Sequence, residues 1–163
     1  GKSGELFGVD ISRTAVQDAS QRRPDFTLGV ASCAHLPVED GSVDEVLNIF
    51  SPFVPEEFAR VLKPGGYLLR AYPLREHLWE LKALIYDTPR DNPPTPLTTE
   101  GFTLVETREV RDIIRLSCNE DILSLFRMTP YSYKTGAKDQ QNAEQAQELS
   151  VKLAFGLAIY QRD

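Results

Sequence analysis

The chain has 163 residues, 41% of them apolar and 26% charged, with a formal net charge of −6. This describes one domain with its own core, not a disordered tail or two ordinary domains. No apolar run is long enough to span a bilayer and no basic stripe announces nucleic acid. The two distant cysteines, Cys33 and Cys118, form neither a disulfide framework nor a zinc site, which points to a reducing cytoplasm.

The first apolar run, residues 5–9 (ELFGV), reads as a strand ending at Asp10. Ser12 caps a helix over residues 13–22, and Pro24 follows its end. Residues 26–31 (FTLGVA) read as a second strand, and a turn-rich link, AHLPVEDGS, leads to a third, VDEVLNIF. The third strand is apolar on both faces, as a buried parallel strand should be. Pro55 opens a short helix, PEEFARVL, with acids in its first turn. Lys63-Pro64-Gly65-Gly66 stops that helix, and GYLLRAYP is a fourth strand. REHLWELKALIYD is an amphipathic helix with Leu78, Leu81 and Ile85 on one side. Residues 88–99 form a proline-rich loop. FTLVETREVRDIIRL is a long strand, and NEDILSLFRM a helix capped by Asn119. A loop, MTPYSYKTG, precedes a polar helix over about residues 139–149, and VKLAFGLAIYQRD closes on β structure. The order predicts an α/β doubly wound sheet, mostly parallel, with an antiparallel terminal strand.

Asp10 carries the first chemical signal. A carboxylate at a parallel strand's carboxyl end can accept both hydrogen bonds of a ribose diol, with Ile11 and Ser12 flanking the sugar. The alternative is an acid that caps the next helix. A helix ending in KPGG is the next step of the same sheet, so a nucleotide-like cofactor lying across the strand ends is expected.

The motifs VDIS, ASCAHLP, a strand ending in IFSP, and FARVLKPGGYLLRAYP resemble a class I S-adenosylmethionine-dependent methyltransferase. The stretches EHLWELKALIYD, EGFTL and LFRMTPYSYK resemble, more specifically, the bacterial 23S rRNA guanine-N1 methyltransferases. The resemblance implies a Rossmann-like sheet, S-adenosylmethionine as cofactor, a 23S rRNA hairpin as substrate and a homodimer. It further implies that Asp10, Ile11, Ser12, Ser32, Cys33, Ala34, Ile49 and Phe50 hold the cofactor. Ser32 stands where the family usually has Asp, and Cys33 reads as a packing residue. Asn48 and Phe50 fall where donor and acceptor base meet. Phe50, Tyr131, Tyr133 and Lys134 are the expected base and RNA contacts, by stacking and charge. His77 is the titratable candidate for catalysis, its alternative being a capping or surface histidine. Arg70, Arg75, Lys82, Arg127, Lys134 and Lys138 are candidates for a phosphate patch, each with the alternative of an ordinary solvated side chain.

The family also carries an amino-terminal zinc ribbon and a first strand with a glycine-rich loop. This chain starts at GKSGELFGVD, so residues 1–163 are expected to be a single methyltransferase domain truncated on its amino-terminal side, with no metal site of its own. The absent strand belongs between those ending at Asp10 and near Phe50, leaving two open edges. Three other readings compete. They are a small-molecule methyltransferase, a nicotinamide oxidoreductase using Asp10, and a non-catalytic interaction or dimerisation module.

Overall fold

The computed structural model describes residues 4–133 and 136–163, excluding the side chains of residues 133 and 137–139. Its elements run β1 (Phe7–Asp10), α1 (Arg13–Arg22), β2 (Thr27–Val30), β3 (Val43–Ile49), α2 (Pro55–Val61) and β4 (Leu62–Pro73). They continue with α3 (Trp79–Ile85), β5 (Phe102–Leu116), α4 (Asn119–Met128), a 3-10 turn (Pro130–Tyr133), α5 (Ala137–Gln145) and β6 (Leu149–Arg162).

β1 and β2 pair in parallel, Asp10 opposite Val30, and form a sheet of their own. The other four strands make a second sheet in the order β3-β4-β6-β5. No strand among the described residues joins β1 to β3. One expectation is corrected: β3 is not buried on both faces. Leu47 and Ile49 are about half exposed.

The chain divides into two compact units. The first contains Gly1–Leu69, Thr98–Val105 and Ile159–Asp163, and the second Arg70–Leu97 and Glu106–Ala158. The core of the first is aromatic: Phe53 packs on Phe58 and Tyr160, and Phe102 meets Tyr160 edge-on. Phe58, Val61, Leu62, Leu68 and Tyr160 are buried there. The second unit closes around Leu78, Leu81, Ile85, Phe126, Ala143 and Val151. Leu78, Leu81 and Ile85 are the apolar positions whose spacing marks the helix.

Three local expectations are corrected. KPGG does not separate helix from strand. Leu62 ends α2 in an extended conformation, and β4 runs straight through the motif. Gly65 takes a φ of +75°, and a Cβ on Gly66 would lie 2.9 Å from the carbonyl oxygen of Asp44. The glycines therefore serve a distorted strand. The helix after β4 starts only at Trp79, because Leu78 sits at φ +55° and breaks the helical path. Asn119 is not the cap of α4. Cys118 holds that position, and the Asn119 amide donates to the carbonyls of Ala143 and Ala146 at the end of α5 (2.9 and 2.7 Å). Its side chain thus joins two helices instead of capping one.

Candidate active site

Asp10 and the link after β2 meet at neighbouring strand ends of the first unit. The Ala31 N–H donates to the Asp10 carbonyl (3.1 Å), which holds the two ends together. Asp10 Oδ1 accepts from the Ser12 N–H (2.7 Å), and Ser12 Oγ accepts from Ala15 N–H, capping α1. Ser12 and not Asp10 is the cap, and the turn leaves Asp10 open to a ligand, since Asp10 is exposed and Oδ1 alone serves the turn. Ile11 is 78% exposed beside it, an apolar side chain presented to solvent. A cleft of about 250 Å³ opens next to Asp10, lined by Gly8, Val16 and Leu28 among others.

The link that follows is tightly built. Ser32 Oγ accepts from the Ala34 N–H (3.2 Å), and His35 N–H donates to the Ser32 carbonyl (3.0 Å). Cys33 is half-buried. Beyond it, a clamp that sequence reading missed holds residues 36–40 against α2. Arg60 donates to both carboxylate oxygens of Glu57 (2.9 and 2.7 Å), to the carbonyls of Leu36 and Val38, and to Asp40. Glu57 Oε1 also accepts from the Leu36 N–H (2.6 Å). The Arg60 hydrogen bonds, then that N–H, hold the Glu57 carboxyl down to about 2. The only signal in the sequence is a Glu–Arg pair three apart on a helix, which reads as ordinary surface charge.

The end of β3 is braced and strained. Asn48 is 3% exposed, and its amide nitrogen donates to Ser51 Oγ (2.7 Å) and the Pro52 carbonyl (3.1 Å). Its Oδ1 is buried with no partner among the described residues, an arrangement folds rarely tolerate without a reason. The brace spans Phe50, which holds φ +48° and is 51% exposed. A bulky residue in the left-handed region is a costly conformation. The strain sets an aromatic ring at the surface of a strand end.

In the second unit, His77 is half-buried and edge-on to Phe155. Its Nδ1 accepts from the Ala154 N–H (3.1 Å). A backbone N–H can only donate, so the neutral ring carries its proton on Nε2. Burial, then nearby Lys82, lowers its pKa. Lys82 is itself buried, and its Nζ donates to the Arg90 carbonyl (3.0 Å) and Asn92 Oδ1 (2.6 Å). This removes Lys82 from the phosphate patch, because its ammonium ties down the proline-rich loop. Arg75 pairs with Asp91, and Arg70 donates to the Pro96 carbonyl (3.2 Å).

Tyr131 packs against the core of the second unit, edge-on to Tyr86 with ring centres 6.1 Å apart, and Lys82 Nζ lies 5.6 Å from its centroid. Burial, then Tyr86, pushes its hydroxyl up to about 12. Lys134 and the side chains of Tyr133 and Lys138 lie outside the described residues. Among the described residues, no group of three His, Cys, Asp or Glu side chains could hold a metal ion, and no helix is long and apolar enough to cross a membrane.

Comparison with known proteins bears on this arrangement. A methyltransferase-domain family model matches residues 1–70. A protein of Bacillus subtilis (strain 168), named as a candidate 23S rRNA (guanine-N1)-methyltransferase, is 34% identical over 82% of this chain and 49% of its own length. The 23S rRNA (guanine(748)-N1)-methyltransferase of Streptomyces fradiae is 40% identical over 45% of this chain and 26% of its own. The chain thus spans about half, or less, of the curated relatives it matches. Among solved structures, the MccD protein superposes with a TM-score of 0.54 at 21% identity, covering 98% of this chain and 80% of that one. A candidate methyltransferase of Bacillus halodurans C-125 gives 0.56 at 14% identity, covering 97% and 83%. Both show the same Rossmann-like fold. The chain belongs to the class I S-adenosylmethionine-dependent methyltransferases and is related within them to the 23S rRNA (guanine-N1) enzymes.

Proposed function

We propose that the protein to which this chain belongs methylates guanine N1 in a hairpin of 23S rRNA, in the cytoplasm, using S-adenosylmethionine. The observation that carries the reading is the 34% identity over 82% of the chain, which reaches through both units. The strand-end arrangement supports it. Asp10 Oδ2 and the apolar face of Ile11 suit a ribose and its base, and the Ser32–Ala34 turn presents short polar groups beside them.

The cofactor supplies a sulfonium-bound methyl group, already joined to a good leaving group. What remains for the protein is alignment. Asp10 holds the sugar. The Asn48 brace fixes the strand end, and Phe50 offers a ring on which a splayed guanine stacks. The N1–H of guanine is a weak acid, so its proton must find an acceptor. His77 does not serve through Nδ1, which is committed to the Ala154 N–H. Its Nε2–H can donate to a carbonyl or phosphate oxygen.

The test uses the full-length protein, labelled S-adenosylmethionine and a 23S rRNA hairpin. Methylation at N1 blocks the Watson–Crick edge and halts reverse transcriptase at one guanine. A stop there, dependent on the enzyme, establishes the reading. Label entering only small molecules, with no stop, replaces it with a small-molecule methyltransferase.

A further inference from the structure

The segment after β4 and the neighbouring strands β5 and β6 line a cleft of about 460 Å³, wholly within the second unit. None of its residues belongs to the candidate cofactor site. Its apolar surface comes from Ile113, which is 60% exposed, and from Ala154. Its polar surface carries both signs, with Glu76 and Asp112 against Arg111 and Lys152. An apolar wall with a few convergent polar groups, in a volume of this size, has the make-up of a ligand pocket.

The charges are held in place before any ligand arrives. Arg111 Nε donates to Glu76 Oε1 (2.9 Å), and one terminal nitrogen donates to Glu109 (2.6 Å). Carboxylate and guanidinium therefore lie side by side, while Glu76 Oε2 and the other terminal nitrogen of Arg111 take no part in these bonds. Lys152 is drawn to Glu80 (3.1 Å), and Asp112 Oδ1 accepts from the Ile113 N–H (2.7 Å). The Glu76 backbone N–H, then Arg111, hold the Glu76 carboxyl below the usual carboxylate range. At neutral pH it is thus an acceptor and never a donor.

These features select among ligands. Glu80 and Glu109 add to Glu76 and Asp112, so carboxylates outnumber cations around the cleft and a phosphate is repelled. A neutral, flat ring with donors on one part of its edge and acceptors beside them fits. Guanine has that edge. Its N1–H and exocyclic amine are adjacent donors that suit one carboxylate, and O6 and N7 are adjacent acceptors that suit one guanidinium. Adenine and cytosine offer one amine beside an acceptor, and uracil one N–H between two carbonyls. None of those three gives both charged groups a two-point contact.

We infer that this cleft holds an unstacked guanine of the RNA by its Watson–Crick edge, as a specificity pocket separate from the acceptor site. The base N1–H and amine donate to Glu76, O6 accepts from Arg111, and the ring packs on Ile113. Unstacked bases of RNA loops are commonly read through that edge. A carboxylate over N1 closes that atom to methylation, so this guanine is a different nucleotide from the methyl acceptor. The inference rests on the RNA reading given above and adds to it which second base the protein selects.

The experiment measures binding of a 23S rRNA hairpin to the full-length protein by fluorescence anisotropy. Each unpaired guanine is replaced in turn by inosine, which lacks the exocyclic amine. One replacement, at a guanine other than the methylated one, should weaken binding about tenfold, the scale of one good base contact. Glu76→Gln should weaken binding of the unmodified hairpin to a similar degree and should be indifferent to that inosine. A Glu76→Gln variant that still loses the same factor on every inosine hairpin overturns the inference, as does coupling of Glu76 only to the methylated guanine. The unaltered protein gives an answer even if the variant misfolds. A 6-thioguanine at the coupled position, or at each unpaired guanine in turn, should photocrosslink to Glu76 or to residues 111–113, read by mass spectrometry. Crosslinks only to other segments overturn the inference. Hairpin that is bound and methylated without any coupling to Glu76 removes the pocket alone, whereas a hairpin that is not bound removes the RNA reading together with it.

Discussion

Arg60 and Glu57 face each other through two hydrogen bonds, Nε to Oε2 at 2.9 Å and a terminal nitrogen to Oε1 at 2.7 Å. The pair does more than join one turn of α2, because Glu57 also receives the Leu36 N–H and Arg60 the Leu36 carbonyl (2.6 and 3.0 Å). Both polar groups of one loop residue are thus satisfied by one ion pair. Bidentate arginine–carboxylate geometry of this kind is among the stronger polar contacts.

Because the folded-state Glu57 carboxyl is held down to about 2 from an ordinary 4.5, its contribution to stability is complete above the unfolded value. It is lost as pH falls from about 4.5 towards 2. Glu57→Gln should remove much of that slope and cost about 1–3 kcal/mol at neutral pH. Urea unfolding at several pH values reads both. An unchanged acid slope in the variant assigns the acid sensitivity to other carboxylates.

Asp10→Ala in the full-length enzyme should weaken S-adenosylmethionine binding by about 1–3 kcal/mol, the scale of hydrogen bonds to a charged group. Calorimetric titration measures it. Since Ser12 Oγ caps α1 through Ala15 independently, the fold should survive, as circular dichroism can check. Unchanged affinity leaves Asp10 with its hydrogen bond from the Ser12 N–H alone.

Phe50→Gly separates strain from function. Glycine accepts the positive φ freely, so relief of about 1 kcal/mol offsets the packing that the ring supplied. Thermal stability should hold while transfer to RNA falls at least tenfold. A fall in stability with no change in transfer makes the ring structural.

His77 should remain neutral with its proton on Nε2 at pH 7, visible in the nitrogen chemical shifts of the ring. Its pKa is lowered in the fold, so the stability it contributes is present above the unfolded value of 6.5 and declines as pH falls below it. His77→Gln should flatten that part of the profile. A ring protonated at pH 7 contradicts the Ala154 hydrogen bond.

Local signals carried much of this fold. Ser12 before a helix and Pro55 at the start of another mark α1 and α2 in agreement with the structure, because caps and first-turn prolines act through neighbouring backbone groups. The long β5 was readable for a similar reason: its β-branched residues recur without a turn former. The KPGG motif misled, since a glycine pair signals backbone freedom and does not say whether a turn or a distorted strand uses it. Asn119 misled likewise, because an amide that can cap a helix can also reach carbonyls on another.

The candidate site divides along the same line. Asp10, Ser32 and Phe50 are identifiable from sequence, as each sits at the end of an apolar run where strand chemistry is exposed. The Glu57–Arg60 clamp, the orphaned Oδ1 of Asn48 and the commitment of His77 Nδ1 to Ala154 are not, since each joins or isolates groups that only packing brings to a place. The sequence by itself determined the order of elements, the family and the strand-end acid. The tertiary structure alone decided which charged groups are engaged inside the fold. That is the case for Lys82, whose ammonium would read as surface charge until burial and the carbonyl of Arg90 are seen around it. Hydrogen bonding and desolvation depend on distances across the fold, and no periodicity along the chain encodes them.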